Sequence, residues 1–183
     1  MGKLLQIVQL GHSILRQKAK TVTNIKDRQI QVLIDDLIAT VMDVEGVGIA
    51  APQVYQSVKV FIVASHPNPR YPNAPKMEPT AMINPKLLRY NKVKHKDWEG
   101  CLSIPGIRGL IPRYTTVKFE YTDRTGKLVR TEYANDFLAR IFQHELDHLK
   151  GTVFLDRLES NKDIITEKEY QRLVSTKSTK TSK

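Results

Sequence analysis

Two histidines four residues apart, His144 and His148 in the segment QHELDH at Gln143–His148, constrain this chain more than any other feature. On a helix they share one face, with Cβ atoms about 5–6 Å apart. Phe137 and Ile141 lie on the same stripe, so the imidazoles extend a face that is otherwise apolar and packs inward. Asn135 or Asp136 caps the start of this helix, and Gly151 closes it after Lys150. The other elements then have to cover one helix that carries polar, reactive groups on its buried side.

Those elements are readable in outline. Ile30, Leu33, Ile34, Leu37, Ile38, Val41 and Met42 recur at helical spacing, with Asn24 or Asp27 near the start and Gly46 near the end. The small-residue segment GVGIAAPQ (46–53) follows, then a strand-like run at Val58–Ser65. Five of the nine prolines fall within His66–Pro79, which reads as one exposed loop. Strand character returns at Ala81–Tyr90 and around Cys101–Ile104, and a hairpin is predicted over Val117–Tyr133 with its turn at Arg124–Gly126. A more polar helix is expected near Asp163–Val174, and the last nine residues are expected to be disordered. Helix, several strands, then helix predicts an α+β fold. Its mainly antiparallel sheet packs around the central HExxH-bearing helix, and a C-terminal helix follows.

The lone cysteine, Cys101, rules out an internal disulfide framework and suits a reducing compartment. No stretch approaches the roughly 18–20 apolar residues of a membrane span. The start, MGKLLQIVQLGHS, has too brief an apolar run for a signal peptide, and Gln6 spoils a myristoylation pattern. The expected location is the cytosol. The net charge of +10 comes without an arginine-rich run or a nucleic-acid motif, so no specific nucleic-acid binding is expected. It is read as a solvated basic surface, with weak attraction to a polyanion such as ribosomal RNA as the alternative.

HExxH on a helix is a metal-hydrolase pattern, in which the glutamate acts on a water held at the same ion. Downstream of His148 there is no further histidine, and Glu159, Glu167 and Glu169 lie in polar surroundings. A third ligand therefore comes from elsewhere. Cys101 in EGCLS is the first candidate, with Asp97, Glu99 and His95 behind it. Cys101 could instead be a small buried hydrophobe, or a nucleophile served by His144 or His148. GVGIAA loosely fits a dinucleotide-binding loop, but it follows a helix, and Pro52 does not suit the helix such a loop opens. Its glycines instead suggest close backbone approach, and Gln53 offers an amide to a developing oxyanion.

Three separated blocks, Gly46–Gln53 (GVGIAAPQ), Glu99–Ser103 (EGCLS) and Gln143–His148 (QHELDH), resemble the signature motifs of the peptide deformylases in order and spacing. The likeness extends from about Ile7 to Leu158, and Ile49 stands where a leucine is usual. The resemblance implies a deformylase-like catalytic domain over 1–162, with 163–183 as a C-terminal helix and basic tail. It implies that Cys101, His144 and His148 bind one divalent metal, commonly Fe2+, with Zn2+, Ni2+ or Co2+ also accepted. Glu145 then moves a proton from water to the leaving amine, while Gln53 and the backbone N–H of Leu102 stabilise the oxyanion. The substrates implied are N-formylmethionyl nascent peptides. Backbone near Gly48–Ile49 would pair with the extended peptide. Val47, Ile141 and the His144 ring edge would line the methionine pocket, with Phe142 a further candidate and Arg108 at the rim. Asp147 would orient an imidazole, and Glu99 would pair with Arg108 or Arg113 to brace the Cys101 strand. The nearest rivals are a metallopeptidase, against which a cysteine ligand argues, and a basic RNA-binding module with a structural metal.

Overall fold

The structure is a computed structural model that describes residues 2–180, with side chains through residue 175. Helix α1 (Arg28–Asp43) starts where the Asp27 carboxylate accepts the Gln29 N–H at 2.7 Å. Ile34, Leu37 and Val41 form its buried stripe, while Met42 in the last turn is exposed. The stop is made by Glu45 rather than Gly46: Glu45 takes the left-handed conformation (φ 51°), and the Gly46 N–H returns to the Val41 carbonyl at 2.8 Å.

GVGIAAPQ becomes the short strand β1 (Gly48–Ala50) and a 3-10 turn over Ala51–Val54. β1 pairs antiparallel with β2 (Val60–Val63), which pairs with β3 (Thr80–Tyr90). The predicted hairpin is β6 (Val117–Thr122) and β7 (Leu128–Tyr133), and it completes a five-stranded sheet in the order β1-β2-β3-β6-β7. β2 is apolar throughout because both faces of this sheet are covered. Val60 and Ile62 join the cluster under α1, and Phe61 and Val63 join the one under α2 (Asp136–Leu149). The Asn135 side chain caps α2 by accepting the Leu138 N–H at 3.1 Å.

A second, three-stranded sheet contains β4 (Lys94–Cys101), β5 (Ile104–Tyr114) and β8 (Ile164–Thr166). The strand character expected around Cys101–Ile104 belongs to two strands: Cys101 ends β4, Ile104 opens β5, and Leu102–Ser103 form the turn from which both extend. The first half of β4 is exposed, and its residues KHKDWEGC show no apolar alternation from which a strand could be recognised. α2 lies between the two sheets. It packs on β1 and β2 through Ile141 and Phe142 and is tied to β5 by Gln143, which bonds the Tyr114 backbone in both directions (3.1 and 2.8 Å).

The proline-rich loop is irregular as expected but is anchored. Arg70 Nη2 donates to the Val44 and Glu45 carbonyls at 2.6 and 2.8 Å, closing the C-terminal end of α1. The C-terminal helix α3 spans Glu167–Lys180, starting later than predicted because Ile164–Thr166 are drawn into β8 against Ile107–Gly109. The expected tail disorder falls partly on residues 181–183, outside the described residues; up to Lys180 the backbone is helical. Among the described residues no helix is long and apolar enough to cross a membrane.

Candidate metal centre

The β4–β5 turn places Cys101 against the buried face of α2. Cys101 Sγ lies 3.3 Å from His148 Nε2, and one ligand atom each from Cys101, His144 and His148 fall within 4.8 Å of one another. The two imidazoles stand 5.1 Å apart at an interplanar angle of 71°. Helical spacing alone brought the histidines together; bringing in the sulfur required the second sheet.

His144 Nδ1 donates to Glu99 Oε2 at 2.9 Å, which fixes the ring and leaves Nε2 for the cluster. Asp147, expected to orient an imidazole, does not do so. Its carboxylate is taken by Arg113 (2.6 Å) and by Arg157 (2.6 and 3.0 Å). Glu99 is the orienting group, held in turn by Arg113 (2.8 and 3.0 Å) and Arg140 (2.9 Å). These guanidiniums, together with His144, outweigh the upward push of burial and keep Glu99 well below the ordinary carboxylate range.

The site attracts positive charge. Burial alone would raise the Cys101 thiol, but the facing imidazoles of His148 and His144 lower it to about 5. His144 is raised well above its ordinary value against the effect of burial, because Cys101 and Glu99 face it. Glu145 is raised to about 7, chiefly by burial, and its Oε2 is buried without a hydrogen-bond partner. One thiolate and two imidazoles on a single side, with an unpaired carboxylate alongside and a cavity in front, fit a divalent ion with an open coordination position.

Gln53 completes the near shell. Its Oε1 accepts the Ala50 N–H at 2.8 Å, which aims Nε2 at Cys101 Sγ (3.4 Å) and Ser103 Oγ (3.2 Å). Leu102 begins the adjacent turn and lines the cavity. That cavity, of about 680 Å³, also takes in Val47, Gly48, Ile141, His144, Glu145 and Arg108 from the expected set.

Ile49 and Phe142 are not brought to the cavity. Ile49 is fully buried in the α1 cluster, and its backbone pairs with Ile62. Phe142 stacks on Phe119 at 4.0 Å in the core. β1 is an edge strand, and Val47 accepts the Ala64 N–H, so by antiparallel alternation it is Gly48 whose peptide groups face outward. A Cβ at Gly48 would collide with the Glu145 carboxylate and come within 3.0 Å of Ile141. Gly48→Ala is therefore expected to displace Glu145 and lower kcat about 10²-fold with an unchanged far-UV spectrum; steady-state rates beside circular dichroism check it. The sequence reading missed Tyr71, Trp98, Phe137 and Tyr170 as lining residues. Only Phe137 left a signal, its place on the Ile141 stripe.

Fold and site together define a hydrolase whose Cys-His-His cluster can hold a metal. Residues 4–163 match the family described as polypeptide deformylase, a segment that ends before α3. A peptide deformylase 2 of a Nostoc strain is 62% identical over 97% of this chain and 98% of its own length. One from Shewanella oneidensis is 43% identical, covering 85% of both chains. A class I type b peptide deformylase from Acinetobacter baumannii, bound to Met-Ala-Ser, superposes with a TM-score of 0.83 at 42% identity, covering 86% of this chain and all of that one. The chain belongs to the polypeptide deformylase family.

Proposed function

We propose that Cys101, His144 and His148 hold one divalent metal, Fe2+ in the cell, and that Glu145, Gln53 and the Leu102 N–H act around it. The family's reaction is hydrolytic removal of the N-formyl group from newly made polypeptides, with release of formate, and it is the reaction of this chain. When bound, the metal supplies a Lewis acid that acidifies water and polarises the formyl carbonyl. Glu145 takes a proton from the attacking water. As the carbon–nitrogen bond breaks, Glu145 returns that proton to the departing amine. Charge that builds on the formyl oxygen is met by Gln53 Nε2 and the Leu102 N–H. Gly48 offers its outward peptide groups to an extended substrate, and Val47 and Ile141 receive the methionine side chain. The observation that carries this reading is the buried, unpaired Glu145 oxygen beside the Cys-His-His cluster.

Anaerobically purified protein should carry about one metal per chain and release formate from formyl-Met-Ala-Ser. Chelation should abolish the rate, and added Fe2+, Zn2+, Ni2+ or Co2+ should restore it. A metal-loaded, folded sample that releases no formate sinks the assignment. Gln53→Ala should lower kcat about 10²–10³-fold with metal content kept, as for removal of one oxyanion donor; elemental analysis with steady-state kinetics checks both halves.

We read residues 1–162 as the catalytic unit and 163–183 as an addition to it. The lone cysteine and the nascent-chain substrate favour the cytoplasm. The net charge of +10 favours weak, salt-sensitive attraction to the ribosome.

A further inference from the structure

Strand β7 is an open edge of the five-stranded sheet: β6 pairs with one side of it, and among the described residues no strand pairs with the other. The hairpin turn fixes which groups lie on the free side. The Asp123 N–H donates to the Lys127 carbonyl at 2.9 Å, so the bonded pairs of this ladder continue through Val129, Thr131 and Tyr133. The peptide groups of Leu128, Arg130 and Glu132 therefore face away from β6, beyond the sheet. Soluble proteins usually protect such an edge with a bulge, a proline or a charge aimed at the covered face. β7 has none of these. Its register against β6 is unbroken, it holds no proline, and Val129, Thr131 and Tyr133 occupy the face that meets the α2 cluster. Leu128, on the opposite face, is 55% exposed.

The charges on that opposite face form a pattern. Arg130 pairs with Glu120 at 2.9 Å, and Glu120 with Lys86 at 3.8 Å. Glu132 pairs with Lys118 at 3.7 Å. One row of alternating charge thus reaches the edge as a cation and its neighbour as an anion. An edge of this kind is complementary to a copy of itself run antiparallel. Outward peptide groups must meet outward peptide groups, so a two-fold axis falls at a residue rather than between two. An axis at Arg130 or at Glu132 sets that charge against its own copy, which is unfavourable. An axis at Thr131 sets Arg130 opposite the partner's Glu132 and Glu132 opposite the partner's Arg130. The row of Lys86, Glu120 and Arg130 then continues in alternating sign into the partner's Glu132 and Lys118. On the covered face Val129 comes opposite the partner's Tyr133, a favourable β-branched and aromatic pair. Leu128 comes opposite the partner's Ala134, which removes part of its apolar surface from water.

We infer that β7 is a dimer interface, at which two copies of this chain pair antiparallel about Thr131 and join their sheets into one. β7 lies at the other edge of the sheet from β1, whose Gly48 lines the cavity, so both cavities stay open in the dimer. Sedimentation equilibrium of the full-length, metal-loaded protein over a concentration series tests this. The parent should approach the mass of two chains at high concentration and dissociate on dilution, because an edge-to-edge interface is small. Arg130→Glu and Glu132→Arg each place like charges opposite one another and should each sediment as single chains. An equimolar mixture of the two variants restores opposite charges at both positions and should return to the mass of two chains. Arg130→Pro, which deletes an outward N–H and no bond to β6, should also be a single chain with an unchanged far-UV spectrum. A parent that keeps the mass of one chain at its highest soluble concentration overturns the inference. A dimer that survives in Arg130→Glu, Glu132→Arg and Arg130→Pro lies on another surface and overturns it too. So does a mixture of the two folded charge variants that fails to associate.

Discussion

Glu145→Gln lowers kcat for formate release about 10²–10⁴-fold, the usual contribution of a positioned acid–base group, while metal content and the thermal midpoint are kept. The amide is nearly isosteric, so neither the Cys-His-His cluster nor the packing of α2 changes, but it can no longer accept a proton from water. The midpoint holds because Oε2 has no hydrogen-bond partner to lose. The pH dependence has a definite sign. Activity needs the carboxylate, so kcat/KM rises with pH as Glu145 deprotonates. Burial sets that step near 7, and a bound divalent cation shifts it downward, because opposite charge favours the ionised form. The acidic limb therefore lies at or below about pH 7 in the loaded parent enzyme. A variant with unchanged kcat would remove Glu145 from the mechanism. An acidic limb well above 7 would show that another group limits the rate.

Arg113→Met is expected to cost up to about 3–5 kcal/mol, because Glu99 and Asp147, both nearly inaccessible to solvent, lose their shared guanidinium and are left with Arg140 and Arg157 alone. For a chain of this size that lowers Tm by about 6–20 °C. The effect is pH-dependent. Glu99 has a depressed folded pKa, so its paired carboxylate contributes stability above the unfolded value of about 4.3. That contribution is lost as pH falls below 4.3 toward the folded value. The gap between parent and variant should accordingly be widest at neutral pH and shrink in acid, as thermal melts across pH 3–7 will show. The variant should also bind metal more weakly, because Glu99 orients His144. A melting temperature within 2–3 °C of the parent at pH 7 would mean that the pair is solvated in solution.

Much of this molecule was written in local sequence. The two capped helices, the hairpin at Val117–Tyr133 and the apolar run of β2 follow from spacing and turn chemistry acting within a few residues. The β4–β5 hairpin, β8 and the anchoring of the proline-rich loop were not legible. Half-exposed β4 has no alternation, and β8 is a strand only because β5 offers it an edge. Ile49 illustrates the opposite error: it lies inside a signature block, yet its backbone and side chain are committed to β2 and α1, leaving Gly48 to face the cavity.

Alone, the sequence determined that His144 and His148 share one helix face, because helical spacing is a local property, and its motifs named Glu145, Cys101 and Gln53 as their candidate companions. Tertiary structure alone decided that Glu99 rather than Asp147 holds His144. It also decided that an arginine network surrounds them and that Tyr71 and Tyr170, far apart in the chain, meet on Arg108. Which carboxylate reaches an imidazole, and which rings flank a guanidinium, depends on how two sheets close around one helix. No spacing along a chain records that closure.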